Sequence, residues 1–173
     1  MSKEKKIEFI KEWIIPIVLA IIMAFLINKF LIFKAYVPSE SMVPTINKGD
    51  RLFIGRIYNP DNIKRGDIIV FHSEELQDTL IKRVIGLPGD NITISKGIVT
   101  INGEILEENY VENNNFKYEG SFTVPSGKYF FLGDNRSISQ DSRFWINPYI
   151  EFEDIEGKAL IKVYPFKDFG RLS

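Results

Sequence analysis

The chain has 173 residues, room for one folded domain and a short appendage, and its 45% hydrophobic content suits a packed core rather than a disordered polymer. It has no cysteine and a single histidine, His72, which excludes a disulfide framework, a thiol nucleophile and thiolate or multi-histidine metal sites. A formal net charge of -1 provides no global basic field, so no nucleic-acid partner is expected.

The N-terminus is charged and then turns apolar. Residues 13–33 are apolar except at Asn28 and Lys29. A bilayer core needs about 20 helical residues, and Lys29 near the end can snorkel to the headgroups. Pro16 falls in the first turn, where a missing N–H matters little. Three readings compete: a cleavable signal peptide, a buried core helix and an uncleaved single-pass anchor. Phe33-Lys34-Ala35 lacks the small residues of a cleavage site, and a core helix would be apolar on every face. The anchor is favoured. Lys3, Lys5, Lys6 and Lys11 precede it, which predicts a cytoplasmic N-terminus and an extracytoplasmic domain; Glu4, Glu8 and Glu12 weigh little, and Lys29 and Lys34 lie on the other side. The expected division is residues 1–34, cytoplasmic N-terminus and anchor, and residues 35–173, the folded domain.

Beyond Lys34 short apolar runs are cut by Gly, Pro, Asn and Asp. Strands are predicted at residues 51–55, 67–71, 80–86, 91–95, 98–101, 128–132 and 160–164. Asn102-Gly103 marks a hairpin between residues 98–101 and 104–106. Residues 107–120 read as an exposed loop or an irregular strand pair. With no helix between the strands, the fold class is mainly β: a curled antiparallel, barrel-like sheet after one N-terminal transmembrane helix.

Four segments carry residues that plain strands do not need. In Val37-Pro38-Ser39-Glu40-Ser41-Met42-Val43-Pro44, two prolines bracket two serines. By itself this is equally a surface loop. In Leu80-Ile81-Lys82-Arg83-Val84, alternation puts Lys82 on one face between Leu80 and Val84. That lysine is either an edge gatekeeper or a desolvated amine able to accept a proton near neutral pH. Residues 133–145, Gly133-Asp134-Asn135-Arg136 through Trp145, are dense in charge and hydroxyls yet flanked by aromatics, so their charges need partners if they pack down. Gly49-Asp50-Arg51 reads as a structural turn. No Ser-His-Asp arrangement is supported: Gly-x-Ser-x-Gly is absent, and His72 reads as an exposed strand-end residue. A serine and a lysine far apart in sequence remain.

In order and spacing these segments resemble the motifs of bacterial type I signal peptidases, peptidase family S26, in their compact single-anchor Gram-positive form. The matching residues are Pro38-Ser39 with Ser41-Met42 and Pro44-Thr45, then Gly49-Asp50-Arg51, residues 82–90, Gly133-Asp134-Asn135-Arg136, and Ser139 with Asp141-Ser142-Arg143. The closing Val163-Tyr164-Pro165-Phe166 fits too, whereas Ile146 stands where a glycine is frequent. The resemblance implies a membrane-bound serine endopeptidase that removes signal peptides from secretory precursors after small-x-small sequences. It implies Ser41 as nucleophile, Lys82 as general base, and Ser39 beside the Ser41 N–H for the oxyanion. Ser139 would orient the lysine by a hydrogen bond, with Asp134–Arg83 and Asp141–Arg143 as supporting ion pairs. Val37, Pro38, Met42, Ile46, Leu80 and Ile81 would line the substrate pockets. The partners it implies are secretory precursors and the lipid bilayer; no metal or other cofactor is implied. Two rivals remain: a self-cleaving Ser-Lys protease of the repressor-cleavage kind, and a catalytically silent anchored accessory or binding protein.

Overall fold

The structure, a computed structural model, describes residue 8 and residues 10–172. Lys3, Lys5 and Lys6, which carry most of the orientation argument, lie outside the described residues, as does Glu4. The chain divides into two compact units, Met1–Phe33 and Lys34–Ser173.

In the first unit a π-turn, Ile10–Ile14, leads into helix α1, Ile15–Phe30, with Pro16 in its opening turn. Residues Lys11–Phe30 form a 20-residue helix apolar enough to cross a membrane. None of α1 is buried, and its apolar side chains point in all directions. The polar interruption is satisfied locally: Asn28 Nδ2 donates to Ala24 O at 2.9 Å, and the Lys29 ammonium lies 5.2 Å from the Phe30 ring centroid. The apolar run continues to Phe33, but the helix does not. Leu31 caps it, and Ile32–Tyr36 form the edge strand β1. The alternation of Ile32, Phe33, Lys34, Ala35 and Tyr36 suits a pleated edge.

The remaining strands follow in chain order. They are β2 (Arg51–Arg56), β3 (Ile68–Ser73), β4 (Asp78–Gly86), β5 (Asn91–Ser95), β6 (Ile98–Ile101), β7 (Glu104–Ile105), β8 (Gly120–Thr123), β9 (Lys128–Leu132), β10 (Tyr149–Glu151), β11 (Ile155–Tyr164) and β12 (Gly170–Arg171). The large sheet has the order β1-β2-β11-β3-β4-β9-β10, with β12 beside β11; the small sheet has the order β7-β6-β5-β8. The fold is mainly antiparallel β after one apolar helix, as expected, but built as two sheets. Each predicted strand falls in one of them, although the one expected from residue 67 begins at Ile68. The predicted hairpin forms, with Asn102 at φ 54° and Gly103 at φ 89°.

Strand β11 is longer than expected because its first half, Ile155-Glu156-Gly157-Lys158-Ala159, does not read as a strand. Gly157 is there for close approach: a Cβ at this position would lie 2.4 Å from the Gly55 carbonyl oxygen of β2. His72 is a correction of another kind. It is half-buried inside β3, opposite Thr79, because pairing runs on to Ser73 and Asp78.

From Lys82 onward β4 is buried on both faces, as is β9 from Tyr129 onward. Val84, Tyr129 and Phe131 join Ile69, Phe71 and Trp145 in one core, where Phe71 stacks on Phe131 at 4.4 Å. Ile85, Phe130 and Leu132 face the other way, into a second core shared with Ile92, Ile94, Val99 and Ile101 of the small sheet. Any polar side chain on the interior of β4 is therefore desolvated unless the fold supplies it with a partner.

Candidate active site

The loop after β1 is closed by backbone bonds from Val37 N to Asp50 O at 3.0 Å and from Gly49 N to Val37 O at 2.8 Å. Its apolar residues Val37, Met42 and Ile46 are buried and anchor it. Beneath it the Asp50 carboxylate accepts from Asn47 N at 2.9 Å and pairs with Lys162 Nζ at 2.6 Å. Lys162 Nζ also donates to Thr45 O at 3.2 Å. Neither Asp50 nor Lys162 stood out in sequence as an ion pair.

At the top of this loop Ser41 meets Lys82. Lys82 Nζ donates to Ser41 Oγ at 2.5 Å, and Ser39 Oγ lies 3.3 Å from Ser41 Oγ. Lys82 is 4% exposed and stands opposite Ile69 on the β4 face that carries Val84. Burial pushes its amine down to about 8; Asp141 pulls it back up, Arg143 presses it lower and Asp134 raises it. The carboxylates do not outweigh desolvation.

Arg83, pointing away from Lys82, binds Asp134 through two bonds, Nε to Oδ1 at 2.9 Å and Nη2 to Oδ2 at 2.7 Å. Its Nη1 donates to Gly66 O at 2.8 Å, and Thr45 Oγ1 donates to Asp134 Oδ2 at 2.5 Å. Arg143 binds Asp141 in the same bidentate way, at 2.8 and 2.9 Å, and Asp141 Oδ2 also accepts from Gly133 N at 3.0 Å. Both expected ion pairs are formed and buried. Asn135 fastens this turn to the serine loop, its N donating to Ser41 O at 3.0 Å and its Nδ2 to Glu40 O at 3.1 Å.

Ser139 differs from expectation. It is buried, but its Oγ has no hydrogen-bond partner, so the bond expected to Lys82 is not formed. Its amide is tied to Asn135 O at 3.0 Å, and its hydroxyl packs on Gly133. A Cβ on Gly133 would lie 2.2 Å from Ser139 Oγ and 2.5 Å from the Ser41 carbonyl oxygen. Gly133→Ala is therefore expected to lower stability by about 1–3 kcal/mol through overpacking. A urea unfolding midpoint equal to wild type would contradict this close packing.

Of the residues expected to contact substrate, Val37, Met42 and Ile46 are buried, Leu80 and Ile81 half-buried, and Pro38 exposed. The backbone beside them is open. β3 pairs with β4 from Asp78 to Arg83, whereas β9 pairs only from Arg83 onward. On that side no strand among the described residues covers residues 78–82.

Residues 107–120, expected as an exposed loop or an irregular strand pair, supply three side chains that were missed. Glu108 pairs with the buried Arg136, the Tyr110 ring lies 3.9 Å from Arg83 Cζ, and Tyr118 Oη donates to Arg143 O at 3.0 Å. No local pattern marks them, since each reaches an arginine at least 25 positions away.

A family model described as signal peptidase, peptidase S26, matches residues 10–164. The chain belongs to the peptidase S26 signal peptidase family. It is 40% identical to a signal peptidase I of Leptolyngbya laminosa, over 99% of this chain and 88% of that protein. Signal peptidase IB of Staphylococcus aureus (strain Mu50 / ATCC 700699) is 34% identical over 91% of both chains. A crystal structure of a signal peptidase I from Enterococcus faecalis V583 superposes with a TM-score of 0.50 at 33% identity, covering 56% of this chain and 96% of that one. As a member of this family the chain is a serine endopeptidase.

Proposed function

We propose that this chain is a membrane-anchored signal peptidase that frees secreted precursors from their signal peptides, with Ser41 as nucleophile and Lys82 as general base. The observation that carries the reading is the 2.5 Å contact between Ser41 Oγ and Lys82 Nζ, with the amine held down to about 8. At pH 7 about a tenth of such an amine is neutral, more than ~100-fold the fraction for free lysine. Ser41 Oγ attacks the scissile carbonyl carbon while Lys82 takes its proton. The oxyanion is held by the Ser41 N–H and the Ser39 hydroxyl. The Lys82 ammonium then protonates the leaving amine, and the neutral lysine activates the water that releases the acyl group.

The open side of β4 at residues 78–82 accepts the substrate as an added strand. Val37, Pro38, Met42, Ile46, Leu80 and Ile81 shape the pockets that take small side chains. Residues 1–34 comprise the cytoplasmic N-terminus and anchor, and residues 35–173 the extracytoplasmic protease domain. The helix Lys11–Phe30 supports a single crossing, and the N-terminal lysines support this orientation.

The test is cleavage of a precursor by the full-length protein in detergent micelles, comparing wild type with Ser41→Ala and Lys82→Ala. Wild type is expected to release the signal peptide and both variants to leave the precursor intact. Wild-type cleavage by Ser41→Ala overturns the reading. Activity should also rise with pH along a limb centred near 8, where the amine discharges. A midpoint near that of free lysine, about 10.4, excludes Lys82 as a desolvated base.

A further inference from the structure

We propose that Glu108 and Tyr110, on the segment between β7 and β8, are positioning residues that latch the Ser41–Lys82 pair from outside; this rests on the proposed roles of Ser41 and Lys82.

Arg83 adjoins Lys82 on β4, and its guanidinium is satisfied in its own plane. Asp134 takes Nε and Nη2, and Gly66 O takes Nη1. The remaining freedom is out of plane, and there the Tyr110 ring covers it at 3.9 Å. The Tyr110 hydroxyl donates to Glu108 Oε1 at 2.8 Å. Burial and the neighbouring Glu108 carboxylate push the phenol up, so it remains a donor. Glu108 in turn takes both terminal nitrogens of Arg136, at 2.9 and 2.5 Å.

Arg136 Nε donates to Gly133 O at 3.0 Å. Gly133 lies against the Ser41 carbonyl, and Asn135, next to Arg136, donates to that carbonyl. One two-residue latch therefore grips both halves of the site. Through Arg83 it holds the strand that carries Lys82; through Asp134 and Thr45 it reaches the loop after Ser41; through Arg136 it holds the turn on which the Ser41 carbonyl rests.

No residue of the latch segment, 107–120, is itself buried. Phe116 is 69% exposed rather than inserted into a core. The segment is tied down by Glu108, Tyr110 and Tyr118, by Asn113 O accepting from Ser137 N at 3.0 Å, and by Asn114 Nδ2 donating to Gly97 O at 2.7 Å. Charged and aromatic side chains from 107–120 thus close over three buried arginines, Arg83, Arg136 and Arg143. A shift of a fraction of an ångström in either half would lengthen the contact on which proton transfer depends.

The experiment measures precursor cleavage by the full-length protein in detergent for wild type, Tyr110→Phe, Tyr110→Leu and Glu108→Gln, with Ser41→Ala and Lys82→Ala as controls. Rates are expressed per folded molecule, the folded fraction coming from thermal unfolding. Tyr110→Leu and Glu108→Gln are each expected to lower kcat by at least about fivefold with KM within about twofold of wild type. Tyr110→Phe keeps the ring over Arg83 and is expected to restore most of the rate. A merely structural role would reduce the folded fraction and leave kcat per folded molecule unchanged. A fall of less than about fivefold in both Tyr110→Leu and Glu108→Gln overturns the latch, as does a Phe variant no better than Leu. Should Tyr110→Leu fail to fold, Glu108→Gln decides by the same threshold. Wild-type cleavage by the two controls would instead sink the proposed dyad, so the two failures are distinguishable.

Discussion

Lys82→Met is expected to abolish precursor cleavage while raising the stability of the fold. The folded protein holds this amine near 8, against 10.5 for an unburied lysine. Because the folded value lies below the unfolded one, the ammonium is penalised in the folded state only. The penalty is full at pH below about 8, shrinks as pH rises from about 8 to about 10.5, and is absent above that range. Near pH 7 it is on the order of 3 kcal/mol. Methionine fills a similar volume with no charge to desolvate, so the variant should gain a fraction of this near neutrality and lose the advantage at high pH. Lys82→Arg should be inactive for the opposite reason, since a guanidinium stays protonated and cannot take the serine's proton. Denaturant midpoints of wild type and Lys82→Met at neutral and at high pH check the stability, and precursor cleavage checks the activity. A marked loss of stability in the methionine variant at neutral pH would make Lys82 a charged structural partner of Asp141 or Asp134, and the base would have to be sought elsewhere.

Asp134→Ala should produce a large loss of stability. Arg83 and Asp134 are 2% and 0% exposed at the side chain and share two hydrogen bonds. The pair as a whole contributes little beyond what apolar residues could, because each ion lost its hydration on folding. Removing one member is different: it strands a buried guanidinium that keeps neutral partners, the Gly66 carbonyl, the Thr45 hydroxyl at 3.4 Å and the Tyr110 ring, but no counter-charge bonded to it. The expected cost is about 3–5 kcal/mol, read from urea unfolding. Replacing both members, Asp134→Leu with Arg83→Met, should cost less than Asp134→Ala alone. If the double variant is the less stable of the two, the desolvation account is wrong.

Strand periodicity was legible in the chain because it is a local property. Alternation in Leu80-Ile81-Lys82-Arg83-Val84-Ile85 separates the side chains that the fold sends to opposite faces: Val84 joins Ile69 and Phe131, and Ile85 joins Phe130 and Leu132. The turn at Asn102-Gly103 was legible too, since positive φ is a demand on the residues themselves. The helix end was not. Residues 31–33 are as apolar as those before them, yet the helix stops at Phe30 and Ile32 and Phe33 belong to β1. The first half of β11 was hidden because its glycine answers to a neighbouring strand, not to its own sequence.

The motifs named the segments that converge, but their distances came from register. Ser41 and Lys82 meet across 41 positions, Arg83 and Asp134 across 51, and Lys162 and Thr45 across 117. The isolated hydroxyl of Ser139 and the roles of Glu108 and Tyr110 likewise depend on which loops end up side by side. Residue types and periodicity by themselves determined an apolar helix followed by an antiparallel β domain, with a serine and a lysine in suggestive surroundings. Only the tertiary structure decided that Lys82 loses its water, because desolvation is a property of the assembled core: the same lysine with its amine in solvent would keep its proton.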